Sequence, residues 1–212
     1  MAANLSRIER GHPALGRRML LLGACGWGLT PHAASAGNRY ALDPRYSTIE
    51  FSVRHLGLFA SQGRFRRFVA TLVIDAAHPE RTSIAVDVDA ASVDMAWQDA
   101  ADMLRSPDFF DVRRHPEVKF TSTAVEAVGA DRYRIGGVLE IRGVARPVTL
   151  NAVLTNRGPD AAAGGAEVAD FVVTGGLRRS AFGMVADPAF ISDHVNITIR
   201  ARIALAAAPH AG

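Results

Sequence analysis

Cysteine is almost absent. The 212-residue chain holds one, Cys25, so neither a disulfide framework nor a thiolate metal site is available to hold it together. A fold of this length must rest on one buried core. Charge of one sign is missing too, once the chain is divided. The formal net charge of +3 comes from the first 36 residues, where Arg7, Arg10, Arg17 and Arg18 outnumber Glu9, and residues 37–212 carry 20 basic and 20 acidic side chains. That balance leaves no electrostatic footprint for DNA or RNA. A long apolar run is the third absence. Crossing a bilayer takes about 20 continuous apolar residues, whereas the run from Met19 to Leu29 is interrupted by Gly23, Gly26 and Gly28 and followed by Pro31 and His32.

A basic start, a short apolar run and the small residues Ala34-Ser35-Ala36 are instead the pattern of a secretory signal cut after Ala36. Residues 37–212 are then a single periplasmic or secreted domain with no stable membrane insertion. Arg17-Arg18 leaves twin-arginine export open, and Leu22-Gly23-Ala24-Cys25 leaves open a lipoprotein cleavage at Cys25.

Catalytic signatures are also lacking. There is no Gly-x-Ser-x-Gly elbow, phosphate loop or dinucleotide fingerprint. After residue 36 the histidines are His55, His78, His115, His194 and His210, none three to five residues from another, and zinc sites usually draw on such a spacing. No metal is expected, and His78, His194 and His210 read as surface residues. Asp87, Asp89 and Asp94 form an acid-rich stretch, but Asp87 and Asp89 alternate with Ile84, Val86 and Val88 as solvated residues on a strand do.

What the chain does have is period-two alternation. Ile49, Phe51 and Val53 alternate with Thr48, Glu50, Ser52 and Arg54, the pattern of a strand with one face buried. The pattern returns at Val118 and Phe120, at Tyr133, Ile135, Leu139 and Ile141, at Val148 to Leu154, and from Val195 to Ile203. The runs 68–74 and 168–174 are more continuously apolar. Gly63 marks a break, residues 75–82 and 157–165 read as loops, and Arg142 to Arg146 is short enough for a hairpin. Only Met95 to Arg105 reads as helical, with Ser106-Pro107 opening a turn that presents Phe109 and Phe110. The expectation is all-β: seven or eight antiparallel strands with one or two short helices at one end. Alternation alone does not choose between a closed barrel and a sandwich, or between a solid and a hollow interior.

Specific strings narrow the choice. Tyr40-Ala41-Leu42-Asp43-Pro44, Ile49 to Gly57 (IEFSVRHLG), Gly63-Arg64-Phe65, Leu104 to Val112 (LRSPDFFDV), His115 to Phe120, Gly137 to Leu150, Arg179-Ser180-Ala181-Phe182-Gly183 and Asp193-His194-Val195 resemble, in order, the YceI-like family of polyisoprenoid-binding periplasmic proteins. The resemblance implies an eight-stranded antiparallel lipocalin-like barrel, export, frequent homodimerisation, and an apolar tunnel for an isoprenoid chain such as a polyprenyl lipid or an isoprenoid quinone. No cofactor is implied beyond such a ligand. On that reading Phe51, Val53, Phe65, Phe109, Phe110, Phe120 and Phe182 are the candidate lining, and His55, Arg105 and Arg179 the candidate mouth. The chain departs from the family at Met95, Ala100, Ala101, Met103 and Ala181, where polar residues are usual. Two other readings compete with an isoprenoid carrier: an envelope stress or interaction barrel without a tight ligand, and a hydrolase centred on His55 with Asp43 or Asp108.

Overall fold

The structure is a computed structural model and describes residues 37–206. The expected signal and Cys25 lie outside the described residues. Eleven strand segments, β1 (Asn38–Leu42), β2 (Thr48–His55), β3 (Phe59–Phe65), β4 (Phe68–Ile74), β5 (Ser83–Asp89), β6 (Val93–Met95), β7 (Glu117–Gly129), β8 (Arg132–Ile141), β9 (Val144–Asp160), β10 (Ala166–Arg178) and β11 (Ile191–Leu205), accompany one helix, α1 (Gln98–Arg105). All pairings are antiparallel, and the ring β1-β4-β5-β7-β8-β9-β10-β11 closes because β1 pairs with both β4 and β11. The result is the eight-stranded barrel that the family resemblance implied. Closure removes the exposed edges an open sheet would present.

The three additional segments are continuations. β2 prolongs β1 along β11, β3 prolongs β4 along β2, and β6 prolongs β5 along β3. Each interruption has a local cause. Between β1 and β2, Pro44 lacks a ladder N–H, and the Asp43 carboxylate instead accepts from the Arg45 backbone N–H at 3.0 Å. Between β5 and β6, the Asp89 side chain caps Ala91 N–H at 2.9 Å, while Ser92 Oγ donates to Asp89 O at 2.6 Å and accepts from Arg67 N–H at 3.0 Å. The wall kinks at this point. β6 separates from β7, and α1 with the Ser106–Pro116 segment fills the gap.

Loops fall at two ends. The α1 end carries the β2–β3 turn, α1, the β8–β9 turn and the segment from Arg179 to Phe190; the opposite end carries the β4–β5, β7–β8 and β9–β10 connections. The β8–β9 turn has two residues, Arg142 and Gly143, at φ 55° and 72°, as a tight hairpin that follows the strand twist requires.

Three sequence expectations are corrected. Gly63 is no break: it lies inside β3 opposite Phe51, and a Cβ there would overlap the Phe51 ring and Met95 Sδ. The helix begins at Gln98, with Met95 still in β6. The stretch 157–160 belongs to β9, leaving only 161–165 as a connection.

Candidate functional site

Inward-facing side chains from every strand of the ring leave two cavities end to end along the barrel axis. The one at the α1 end has a volume of about 210 Å³ and walls that are almost entirely hydrocarbon; the other measures about 180 Å³. Ile49, Val86, Phe120, Leu150 and Ile199 border both and form a waist. Phe120 is its aromatic member. Its ring rests on the strand where Gly137, itself inward, offers no side chain, and a Cβ at Gly137 would overlap it.

Eight of the ten sequence-predicted site residues border the α1-end cavity: Phe51, Val53, His55, Phe65, Phe109, Phe110, Phe120 and Arg179. Phe51 and Phe65 meet with ring centroids 5.7 Å apart, and Phe65 meets Phe110 edge-on at 5.5 Å, a favourable aromatic geometry. Two predicted residues lie elsewhere. Arg105, at the end of α1, donates to Ala91 O at 3.0 Å and to Asp102 at 2.7 Å, fastening the helix to the wall rather than facing the cavity. Phe182 is 1% exposed and packs with Val88, Val118, Leu139, Ile141 and Met184, closing the core beneath the cavity instead of lining it. Of the family departures, Met95, Ala100 and Met103 border the cavity, whereas Ala101 is buried and Ala181 packs against the core. Met103 both lines the cavity and is 40% exposed, so α1 forms the wall between this cavity and solvent.

Arg179 is 5% exposed. A bulge in β11 between Ile191 and Val195 interrupts its ladder with β2, and Arg179 takes up the carbonyls this frees: Nη2 donates to Ile191 O at 2.9 Å and Nε to Ser192 O at 3.1 Å, while Nη1 donates to Met184 O at 2.9 Å. His55 pairs with the same Ile191. Its Nε2 is buried without a hydrogen-bond partner among the described residues.

The pairing of His55 with an aspartate as a catalytic dyad finds no geometry. Asp43 precedes β2 and His55 ends it, so at about 3.3 Å per residue they sit towards opposite ends of the barrel, and the Asp43 carboxylate is held by Arg45 at 2.8 Å. Asp108 is exposed and does not border the cavity.

The second cavity went unrecognised in the sequence. Leu42, Leu72, Tyr133, Phe171 and Ile203 line it together with Asp75 and Arg157. Arg157 points inward because Thr155 is an extra residue in β9, which shifts the β9–β10 register and reverses the alternation. Asp75 is 8% exposed. Burial raises its pKa, but the N–H groups of His78 and Ala77 on its Oδ1 outweigh that and hold it below the usual carboxylate value. Its Oδ2 has no partner among the described residues.

A closed antiparallel barrel with a hydrocarbon-walled interior, covered at one end by a helix, defines a lipid-binding barrel. The YceI-like domain family model matches residues 40–203, and the chain belongs to that family. It is similar to UPF0312 proteins of Pseudomonas putida strain W619 (32% identity over 166 residues, 76% of this chain and 84% of the relative) and of Photorhabdus laumondii (34% over 170 residues, 79% and 87%). Among solved structures it is similar to Burkholderia cenocepacia BcnA (TM-score 0.68, 25% identity, 76% of this chain and 98% of that one) and to the Campylobacter jejuni YCEI protein (0.63, 25%, 68% and 85%). The fold is also that of a polyisoprenoid binding domain from Saccharophagus degradans implicated in plant cell wall breakdown (0.56, 14%, 80% and 99%).

Proposed function

We propose that this protein is an exported, non-enzymatic carrier or store that holds an isoprenoid chain, either a polyprenyl lipid or an isoprenoid quinone, along the barrel axis. The observation that carries this reading is the pair of apolar cavities meeting at one waist inside a closed wall. Either cavity alone falls below the roughly 300 Å³ at which drug-sized sites begin, so the space suits a thin guest threaded through both better than a compact one lodged in either. Binding comes from burying apolar surface at about 25 cal/mol per Å², and repeating isoprene units match a wall without directional contacts. The Saccharophagus domain of the same fold, named for polyisoprenoid binding, supports the choice of guest. The signal-like segment before Gly37 supports export.

The test is to purify the whole chain from the envelope of its native cell, record its intact mass, and analyse an organic extract by mass spectrometry. A co-purified prenyl lipid or quinone and a polypeptide starting at Gly37 are expected. Protein that is lipid-free, and that takes up no prenyl chain when offered one, overturns the reading.

A further inference from the structure

We propose that the α1 end of the barrel docks on the surface of a zwitterionic phospholipid bilayer. The apolar side chains of the β2–β3 turn, the start of α1 and the segment from Arg179 to Phe190 enter its head-group layer. The proposal concerns the outer surface and stands whether or not a prenyl chain fills the interior.

Leu56, Leu58, Phe59, Trp97, Val185 and Phe190 are each 60–79% exposed and border neither cavity. Single exposed apolar residues are ordinary, but a concentration of large ones at one place marks an interaction surface. The backbone gathers these from separate parts of the chain. Leu56 N–H donates to Phe190 O at 3.0 Å, which joins the β2–β3 turn to the end of the Arg179–Phe190 segment. β3 pairs with β6 through Gly63 and Met95, so the chain reaches Trp97 while running toward the Phe59 end of β3. Met103, on the same helix, is shared by this surface and the cavity wall.

Shape and charge select the occupant. A peptide or helix docks along a sheet edge or into a groove, whereas these side chains project separately from three segments. A rigid partner, or a second copy, must offer a hole for each; a fluid interface takes separate projections without matching holes, as it takes the apolar face of a surface-lying helix. Trp97 has the apolar body and polar tip that concentrate tryptophan at membrane–water boundaries. Exposed charges on the same segments are of both signs, with Arg54 and Arg178 against Asp99, Asp102 and Asp187. That mixture complements head groups that carry both a phosphate and an ammonium, and offers no single-sign face to a charged partner. The described chain begins and ends at the other end of the barrel, where Asn38 pairs with Ile74 and Ala206 N–H donates to Arg39 O at 2.9 Å, so neither flank emerges beside these residues.

The test mixes protein purified from the envelope of its native cell with phosphatidylcholine vesicles and reads partitioning by flotation. The parent protein is expected to float with the vesicles at low and at high salt alike. Leu58→Ser/Phe59→Ser is expected to weaken partitioning about tenfold, the order expected when two partly buried apolar side chains are withdrawn from contact. Val69→Ser, at an exposed apolar side chain on the outer wall in β4, is expected to leave partitioning unchanged. Parent protein that stays below the vesicles overturns the proposal, as does partitioning that survives Leu58→Ser/Phe59→Ser or falls equally in Val69→Ser. Binding that requires phosphatidylglycerol and vanishes at high salt also overturns it, because charge rather than the apolar surface is then responsible. A parent dimer that Leu58→Ser/Phe59→Ser dissociates in sedimentation velocity, with no vesicle binding, assigns the surface to a second copy instead.

Discussion

The two ends of this barrel are held together by different physics. At the end away from α1, on the outer wall where β11 changes partner from β1 to β2, Arg202 ties the seam together. Its guanidinium holds Asp170 through both oxygens at 2.7 and 2.8 Å and reaches Asp160, its N–H donates to Ser47 Oγ at 3.1 Å, its carbonyl accepts from Asp43 N–H at 2.8 Å, and it stacks 4.2 Å over the Tyr46 ring. At the α1 end closure comes from packing. Phe109 and Phe182 are buried there, while the rim leaves Leu56, Leu58, Phe59, Trp97, Met103, Val185 and Phe190 in solvent. Seven of the thirteen large apolar residues exposed among the described residues thus crowd one end, from three separate segments. Leu56 even adopts φ 50°, a left-handed conformation that bulky residues resist. A seam of ion pairs gives one wall fixed register. An apolar rim gives the other end a surface of the same character as the walls of the cavity within.

If packing alone closes the α1 end, removing its central plug should do the greatest damage. Phe182→Ala, at a side chain 1% exposed, is expected to cost about 3–5 kcal/mol of folding free energy, read by urea or guanidinium denaturation. A loss under about 1 kcal/mol would mean that the segment from Arg179 to Phe190 rides on the barrel without supporting it, and the contrast between the ends would fail.

The waist gives a sharper version of the same question, because it decides whether the two halves act as one space. Gly137→Ala sets a Cβ against the Phe120 ring and 2.7 Å from Thr121 O. Overpacking of this kind costs about 1–3 kcal/mol, and the displaced ring narrows the passage. The expected outcome is weaker binding of long prenyl chains with little change for chains short enough to stay in the α1-end cavity. An equal loss for both lengths would show that the far cavity holds none of the guest.

Much of this architecture was legible in the sequence, because a strand wet on one face and buried on the other must alternate. Ile49, Phe51 and Val53 all border the interior as their spacing predicts. The errors gather where the backbone departs from period two. Thr123 and Thr155 are extra residues in β7 and β9; each reverses the alternation, which hid Val125 and Arg157 as inward residues and made the far cavity invisible. Gly63 read as punctuation because a glycine that makes room for an aromatic ring and one that turns the chain look alike in sequence. Arg105 and Arg179 both stand near phenylalanines, yet one faces the cavity and the other clamps a helix. Their hydrogen bonds go largely to backbone carbonyls, which carry no residue-type signature. Choosing a barrel over a sandwich came from the family resemblance, since closure depends on β1 pairing with both β4 and β11, a contact between chain ends that no local pattern encodes.

The smallest expected effect lies at the ion-paired seam and is visible only as pH falls. Asp170 titrates below the ordinary aspartate value, chiefly through its hydrogen bonds from Arg202, with Asn156 adding a further one against a modest cost of burial. A carboxylate whose pKa is lower folded than unfolded binds more protons in the unfolded chain at acidic pH. Its contribution is therefore complete above the unfolded value of about 3.9 and is lost as pH drops through the folded value. Asp43 and Asp94, held down first by Arg45 and Arg64 respectively, have the same sign, but both pairs involve exposed arginines and water screens them. Asp170→Asn should accordingly lower the melting temperature at neutral pH and flatten its decline between about pH 5 and 2, so that mutant and parent converge in acid. A rim substitution such as Leu58→Ser, at a side chain 79% exposed, should leave that acid limb unchanged and shift stability by less than about 0.5 kcal/mol. If the two variants instead show the same acid profile, the seam is not where the barrel's pH dependence resides, and the polar end has no claim to be the one held by charge.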